Sequence, residues 1–257
     1  MNKVSFVLLG LFWISTVSAQ NAVEIGEFAS TPPTILEGSV CDSMEYIRND
    51  DGSAENGYAG NPATVIEFSV VDQFDSADFP NSIISDVCVG LIASPTPASL
   101  TFEVVVFDDD GAGGAPGTEL GSSGSFSTPM PIPPGIPGTV INVPLPGAGI
   151  QVPASGNFYV GVRFAPPGGI FISADETGAT AAGAGFVLFD TGDPADDWEA
   201  NGTPTTFENY SAMLIRALPG EVVLPETQAV PVNNFWAMTI LVLMLSGLGV
   251  FVIRRMA

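Results

Sequence analysis

Between Gln20 and Gly220 apolar residues recur at every second position in short runs, the period of a strand with one buried face. Such runs occupy residues 64–71, 83–93, 100–107, 139–143, 157–164, 169–174, 185–190 and 212–218. Each is rich in Val, Ile and Phe and is bounded by Gly, Pro, Asp or Asn. In 100–107, Leu100, Phe102, Val104 and Val106 share one face, while Thr101 and Glu103 point away. Phe158, Val160, Val162 and Phe164 alternate against Tyr159, Gly161 and Arg163 in the same manner. No stretch of this region carries a helical period over three turns. Most of the 29 glycines and 22 prolines fall between the runs. Residues 129–137 hold too many prolines for a central strand and predict an extended surface crossing. No internal repeat is present. Some eight or nine strands in roughly 200 residues predict an all-β domain, an antiparallel two-sheet sandwich of jelly-roll type.

The two termini break this pattern. Residues 1–19 carry Lys3, an apolar run over 4–14, and small residues at Val17, Ser18 and Ala19. That order predicts a signal peptide cut before Gln20. Residues 235–253 hold no charge, and Arg254 and Arg255 follow. At the rise of a helix this run spans about 28 Å, the thickness of a bilayer core. Trp236 suits the membrane interface, and the arginines mark the cytoplasmic side. The chain therefore divides into a signal peptide (1–19), a sandwich ectodomain (20–220), a spacer (221–230) and a C-terminal segment (231–257) with one transmembrane helix. A buried core helix is the alternative for the last.

Charge narrows the function classes. The net charge is −22, and all 28 acidic residues lie between Glu24 and Glu226. The expected exported part keeps only Arg48, Arg163 and Arg216 as cations. Such a surface repels phosphates, which excludes nucleic acid as a partner, and suits a salty or cation-rich setting. There is no histidine and no lysine after Lys3. Histidine-based acid–base catalysis, histidine metal ligation and Schiff-base chemistry are therefore absent. The two cysteines, Cys41 and Cys88, predict a disulfide in an exported chain, with two reduced buried thiols as the alternative.

Three acidic groups offer candidate sites. Asp108, Asp109 and Asp110 stand at a strand end before Gly111 and present hard oxygens to calcium; an acidic turn accounts for them equally. Asn49, Asp50, Asp51 and Glu55 form a second group. Asp190, Asp193, Asp196, Asp197 and Glu199 surround Trp198. An exposed Trp198 beside Asp196 and Asp197 suits a sugar, stacking on one face and accepting hydroxyl hydrogens; a Trp198 that plugs one end of the sandwich does not. Asp175 and Glu176 suggest a paired-carboxylate hydrolase, although acids this abundant pair by chance. Arg163 and Arg216 lie in expected strands, each pairing with a carboxylate near a sheet edge.

The order of motif, span and arginine pair resembles the bacterial sorting tails read by exosortase-type transpeptidases. Val230, Pro231, Val232, Asn233, Asn234, Phe235, Trp236 and Ala237 stand where the IPTL-CTERM class has Ile-Pro-Thr-Leu-Ser-x-Trp-x. Pro231, Trp236, Arg254 and Arg255 fit that pattern, while Val232 and Asn233 depart from it. The resemblance covers the last tenth of the chain and implies a Gram-negative envelope protein. It also implies a sorting transpeptidase as partner, and a span that is either kept as an inner-membrane anchor or removed as the protein reaches the surface or is secreted. The middle of the chain resembles a β-sandwich domain of bacterial secreted and surface proteins. The matching residues are 50–58, 106–117, 159–164 and 213–217. That resemblance implies a shape and no activity. The expected role is structural or adhesive, without enzymatic activity and with calcium as the expected cofactor; extracellular polysaccharide is the expected partner of the Trp198 alternative.

Overall fold

The computed structural model describes residues 23–25, 41, 43, 45–135, 138–176, 185–193, 196–200 and 212–221. The expected signal peptide lies outside these residues. So does the expected sorting signal, with Pro231, Val232, Asn233, Asn234, Trp236, Arg254 and Arg255. Among the described residues no helix is long and apolar enough to cross a membrane.

Alternation builds two antiparallel sheets. The first runs β1 (Val23–Ile25), β3 (Asn56–Gly60), β12 (Ile170–Asp175), β5 (Ile83–Ala93), β16 (Ile215–Pro219) and β2 (Ile47–Arg48). β9 (Thr139–Pro144) and β10 (Ile150–Gln151) line the other edge of β5, and β15 (Ala212–Met213) pairs with β12. The second sheet runs β14 (Glu199–Ala200), β13 (Gly185–Asp190), β4 (Glu67–Asp75), β11 (Asn157–Phe164), β6 (Thr101–Asp108) and β7 (Glu119–Ser122). β8 (Phe126–Ser127) extends the β6 edge. This is the expected all-β sandwich.

The core lies between the sheets. Phe158, Val160, Val162 and Phe164 of β11 face inward and meet Phe68, Val70 and Phe74 of β4. Phe79, after β4, sets its ring edge-on to Phe158 at 5.1 Å and to Phe74 at 6.2 Å. Each such side chain taken from water contributes about 1.5–3 kcal/mol. Gly161 lies on the opposite face of β11, where a Cβ would stand 1.9 Å from the Val70 carbonyl oxygen. Glycine is required for β4 and β11 to approach this closely.

The segment 212–219 changes partner partway. β15 pairs with β12, and β16 pairs with β5. Leu214 makes the switch, donating its N–H to the Ser173 carbonyl at 2.9 Å and accepting from the Gly90 N–H at 2.8 Å. A Cβ on Gly90 would lie 2.7 Å from the Leu214 Cβ, so the crossing needs glycine there too. In the expected proline-rich crossing, the fully buried Ile132 bridges Ala98 and Pro134 bridges Ala93.

Candidate functional site

The outward face of the second sheet carries most of the candidate chemistry, and strand register sets its layout. One row reads Leu188, Ser69, Arg163 and Glu103 across β13, β4, β11 and β6. The next reads Phe186, Val71, Gly161, Val105 and Ser122, and the third Gln73, Tyr159, Phe107 and Glu119. One end of the face is therefore charged and the other aromatic.

At the aromatic end Val71, Val105, Phe107 and Tyr159 are buried, with half-buried Phe186 and Trp198 packed on them. Trp198 meets Phe107 edge-on, with ring centroids 5.3 Å apart, and Tyr159 meets Phe186 in the same way. Trp198 thus covers a small second core on the outside of the sheet. It does not plug an end of the sandwich, and it remains half-exposed. The flanking acids are turned elsewhere. The Asp196 carboxylate accepts the Thr191 N–H and hydroxyl, and the Asp197 carboxylate accepts the Trp198 N–H. Leu188, Asp190, Gly192, Asp193 and Asp196 line an open depression of about 440 Å³ in this loop.

At the charged end Arg163 donates to Glu103 and Glu119 at 2.8 Å each, with Glu67 at 4.0 Å. Partial burial opposes the guanidinium charge, but the two carboxylate bonds outweigh it and raise its pKa. Burial raises the Glu67 carboxyl; Arg163 opposes this, and Asp190, opposite it in the sheet, adds to the rise. Glu67, Thr101, Glu103, Ser125 and Arg163 border a shallow depression of about 370 Å³. Arg163 belongs to a strand flanked on both sides, a correction to its expected place near a sheet edge. The glutamates reach it from β4, β6 and β7.

The expected calcium ligands close the β6–β7 hairpin. Asp110 accepts the Thr118 N–H at 2.6 Å and the Thr118 hydroxyl at 2.7 Å, which lowers its pKa. Asp108 accepts the Asp109 N–H, and Asp109 accepts the Asn157 N–H at 3.4 Å. The three carboxylates serve backbone and hydroxyl donors of the turn and the Asn157 N–H of β11. Among the described residues no group of three or more His, Cys, Asp or Glu side chains is placed to hold a metal. Tyr159 closes over this hairpin, donating its hydroxyl to the Gly114 carbonyl while accepting from Gln73 at 2.9 Å.

The second acidic group lies at one end of the sandwich. Arg216 holds Asp50 through Nε–Oδ2 at 3.0 Å and Nη2–Oδ1 at 2.7 Å, and its Nη1 donates to the Cys41 carbonyl at 2.9 Å. Cys41 is bonded to Cys88, which stands opposite Arg216 in the sheet. The disulfide and the ion pair together fasten Cys41 and Asp50 to the first sheet. Asp175 accepts the Asp51 N–H at 2.8 Å. Glu176 accepts from Asn56 at 3.0 Å and from the Tyr58 hydroxyl at 2.7 Å. Both carboxylates of the suggested hydrolase pair are thus in hydrogen bonds that join β12 to the 51–58 segment.

Asp72 and Tyr159 escaped the sequence reading. Asp72 left a signal, as a carboxyl at an inward position between Val70 and Phe74. Tyr159 left none, because an outward tyrosine reads as surface until the Trp198 loop is folded over it. Comparison with protein-family models, with curated proteins and with solved structures finds no match.

Proposed function

We propose that this chain is an exported, non-enzymatic β-sandwich attached to the bacterial envelope through its C-terminus, with a structural or adhesive role at the surface or in the matrix. The Cys41–Cys88 disulfide carries the reading, because such bridges persist in oxidising compartments. The run at 235–253 with Arg254 and Arg255, the apolar leader at 1–19 and the excess of acids support it. In this reading Pro231 and Trp236 form part of the signal that a sorting transpeptidase reads. Full-length protein tagged before Glu221, produced in a Gram-negative host with such a transpeptidase, is followed by protease shaving of intact cells and by mass analysis of its C-terminus. The reading expects loss of the leader, an oxidised disulfide and surface exposure. Cytoplasmic protein with both cysteines reduced overturns it.

A second reading, a carbohydrate-binding module, draws on the half-buried Trp198 and the depression whose lining includes Asp196. Titration with extracellular polysaccharide, comparing the wild type with Trp198→Ala, separates the two. Saturable binding lost in the variant favours the module, and no binding leaves the structural role.

A further inference from the structure

Along β4 the inward positions read Phe68, Val70, Asp72 and Phe74, so a carboxyl occupies a place in the core. Asp72 is 2% exposed, and its Oδ2 accepts the Met213 N–H of β15, in the other sheet, at 2.8 Å. Val160 of β11 and Gly185 of β13, opposite it in its own sheet, bring no charge. β12 brings the buried Asp175, whose Oδ2 accepts the Asp51 N–H. The segment before Asp51 brings the buried Asp50, and Asn49, whose amide donates to the Gln73 carbonyl. β16 brings Arg216, whose Nε and Nη2 are turned on Asp50. Asp50, Asp72, Asp175 and Arg216 are each almost wholly buried. Holding the Asp72 carboxyl ionised there carries a desolvation cost that one backbone hydrogen bond does not offset.

We infer that Asp72 is a proton-dependent latch between the two sheets: neutral, it lets β15 and residues 49–51 close over this end of the sandwich, and ionised, it strains that seam. Burial, then the Met213 hydrogen bond acting the opposite way, then the charges of Asp50 and Asp175 set its pKa, and the sum holds it well above the usual carboxylate range. A carboxyl whose folded pKa exceeds its unfolded value binds more protons folded than unfolded. Its contribution therefore falls as pH rises from about 3.9, the unfolded value, and the loss is complete only above the folded value. As far as this group decides, the sandwich is tighter in acid surroundings and looser in alkaline ones.

The test uses the full chain, purified in mild detergent, as wild type and as Asp72→Asn, which keeps an oxygen for the Met213 N–H. Thermal melts from pH 4 to pH 8 on the order of one unit apart are compared as differences between the two proteins, which cancels the many surface carboxylates. The latch requires the variant to melt higher than the wild type at the alkaline end, with the gap closing towards pH 4. A gap that is constant with pH, or that runs the other way, overturns it. Infrared spectra at pH 7 give an independent readout: the wild type is expected to show the C=O band of a protonated carboxyl, and the variant to lack it. Should the variant fail to fold, the wild-type band decides, its presence supporting the latch and its absence overturning it.

Discussion

Arg216 and Asp50, 166 positions apart in the chain, meet as a two-point ion pair that is almost wholly buried. Arg216 also donates to the carbonyl of Cys41, so the ion pair and the Cys41–Cys88 bond meet at Cys41. Breaking such a pair from one side leaves an uncompensated charge in a water-poor place. Arg216→Met is therefore expected to cost about 3–5 kcal/mol, measured by denaturant unfolding. Combining it with Asp50→Leu is expected to recover part of that loss. A single-variant cost below about 1 kcal/mol, the range of surface pairs, would contradict the burial of the pair.

Loss of the disulfide is expected to cost about 4 kcal/mol for a loop of this length, read by unfolding Cys41→Ser/Cys88→Ser beside the oxidised wild type. Because Arg216 holds both Cys41 and Asp50, the disulfide and ion-pair losses are expected to be non-additive in a double-mutant cycle. Strict additivity would mean that the two fasten independent parts of the segment.

Trp198→Ala removes an edge-on contact with Phe107 and uncovers the outer cluster. The expected loss is about 1–3 kcal/mol, from the aromatic contact and the apolar area together. Trp198→Phe is expected to restore most of it. A Trp198→Ala protein as stable as the wild type would free the indole for a ligand role.

Asp110 gives a pH-dependent outcome of the opposite sign to Asp72. Its Thr118 hydrogen bonds lower its pKa, so what it contributes is present above the unfolded value and is lost as pH falls through the lower folded one. Thr118→Val is expected to lower the melting temperature at pH 7, with the difference shrinking in strong acid. A difference that is flat with pH would assign the effect to packing.

Calcium addresses the same hairpin. With both Asp110 oxygens committed to Thr118, calcium and magnesium are expected to raise the melting temperature equally, an effect that salt reproduces by screening the net charge. A rise specific to calcium and reversed by EDTA would assign a site to Asp108, Asp109 and Asp110.

Legibility followed side-chain chemistry. Residues 157–164 and 185–190 have the bounds of β11 and β13, because the first alternates without a break and the second is a continuous apolar run closed by Asp190. The run expected at 64–71 is displaced to Glu67–Asp75. Thr64 and Val65 return their N–H groups to Asn61 in a turn, and the polar Asp72 and Gln73 hid the second half of the strand. β3, Asn-Gly-Tyr-Ala-Gly, has no branched residue to announce it and exists because β1 and β12 hydrogen-bond to its two edges.

Composition and period alone pointed to a two-sheet β fold and to the pairing of its two cysteines, since each depends on local alternation or on a count. Only the tertiary structure decided what the acids do. Asp50, Asp72 and Asp175 look alike in sequence, yet one meets a guanidinium, one a backbone N–H of the opposite sheet, and one a backbone N–H of the 51–58 segment. A carboxylate's role depends on burial and on the nearest donor, and here those donors come from Arg216, Met213 and Asp51, brought in by packing across long stretches of chain.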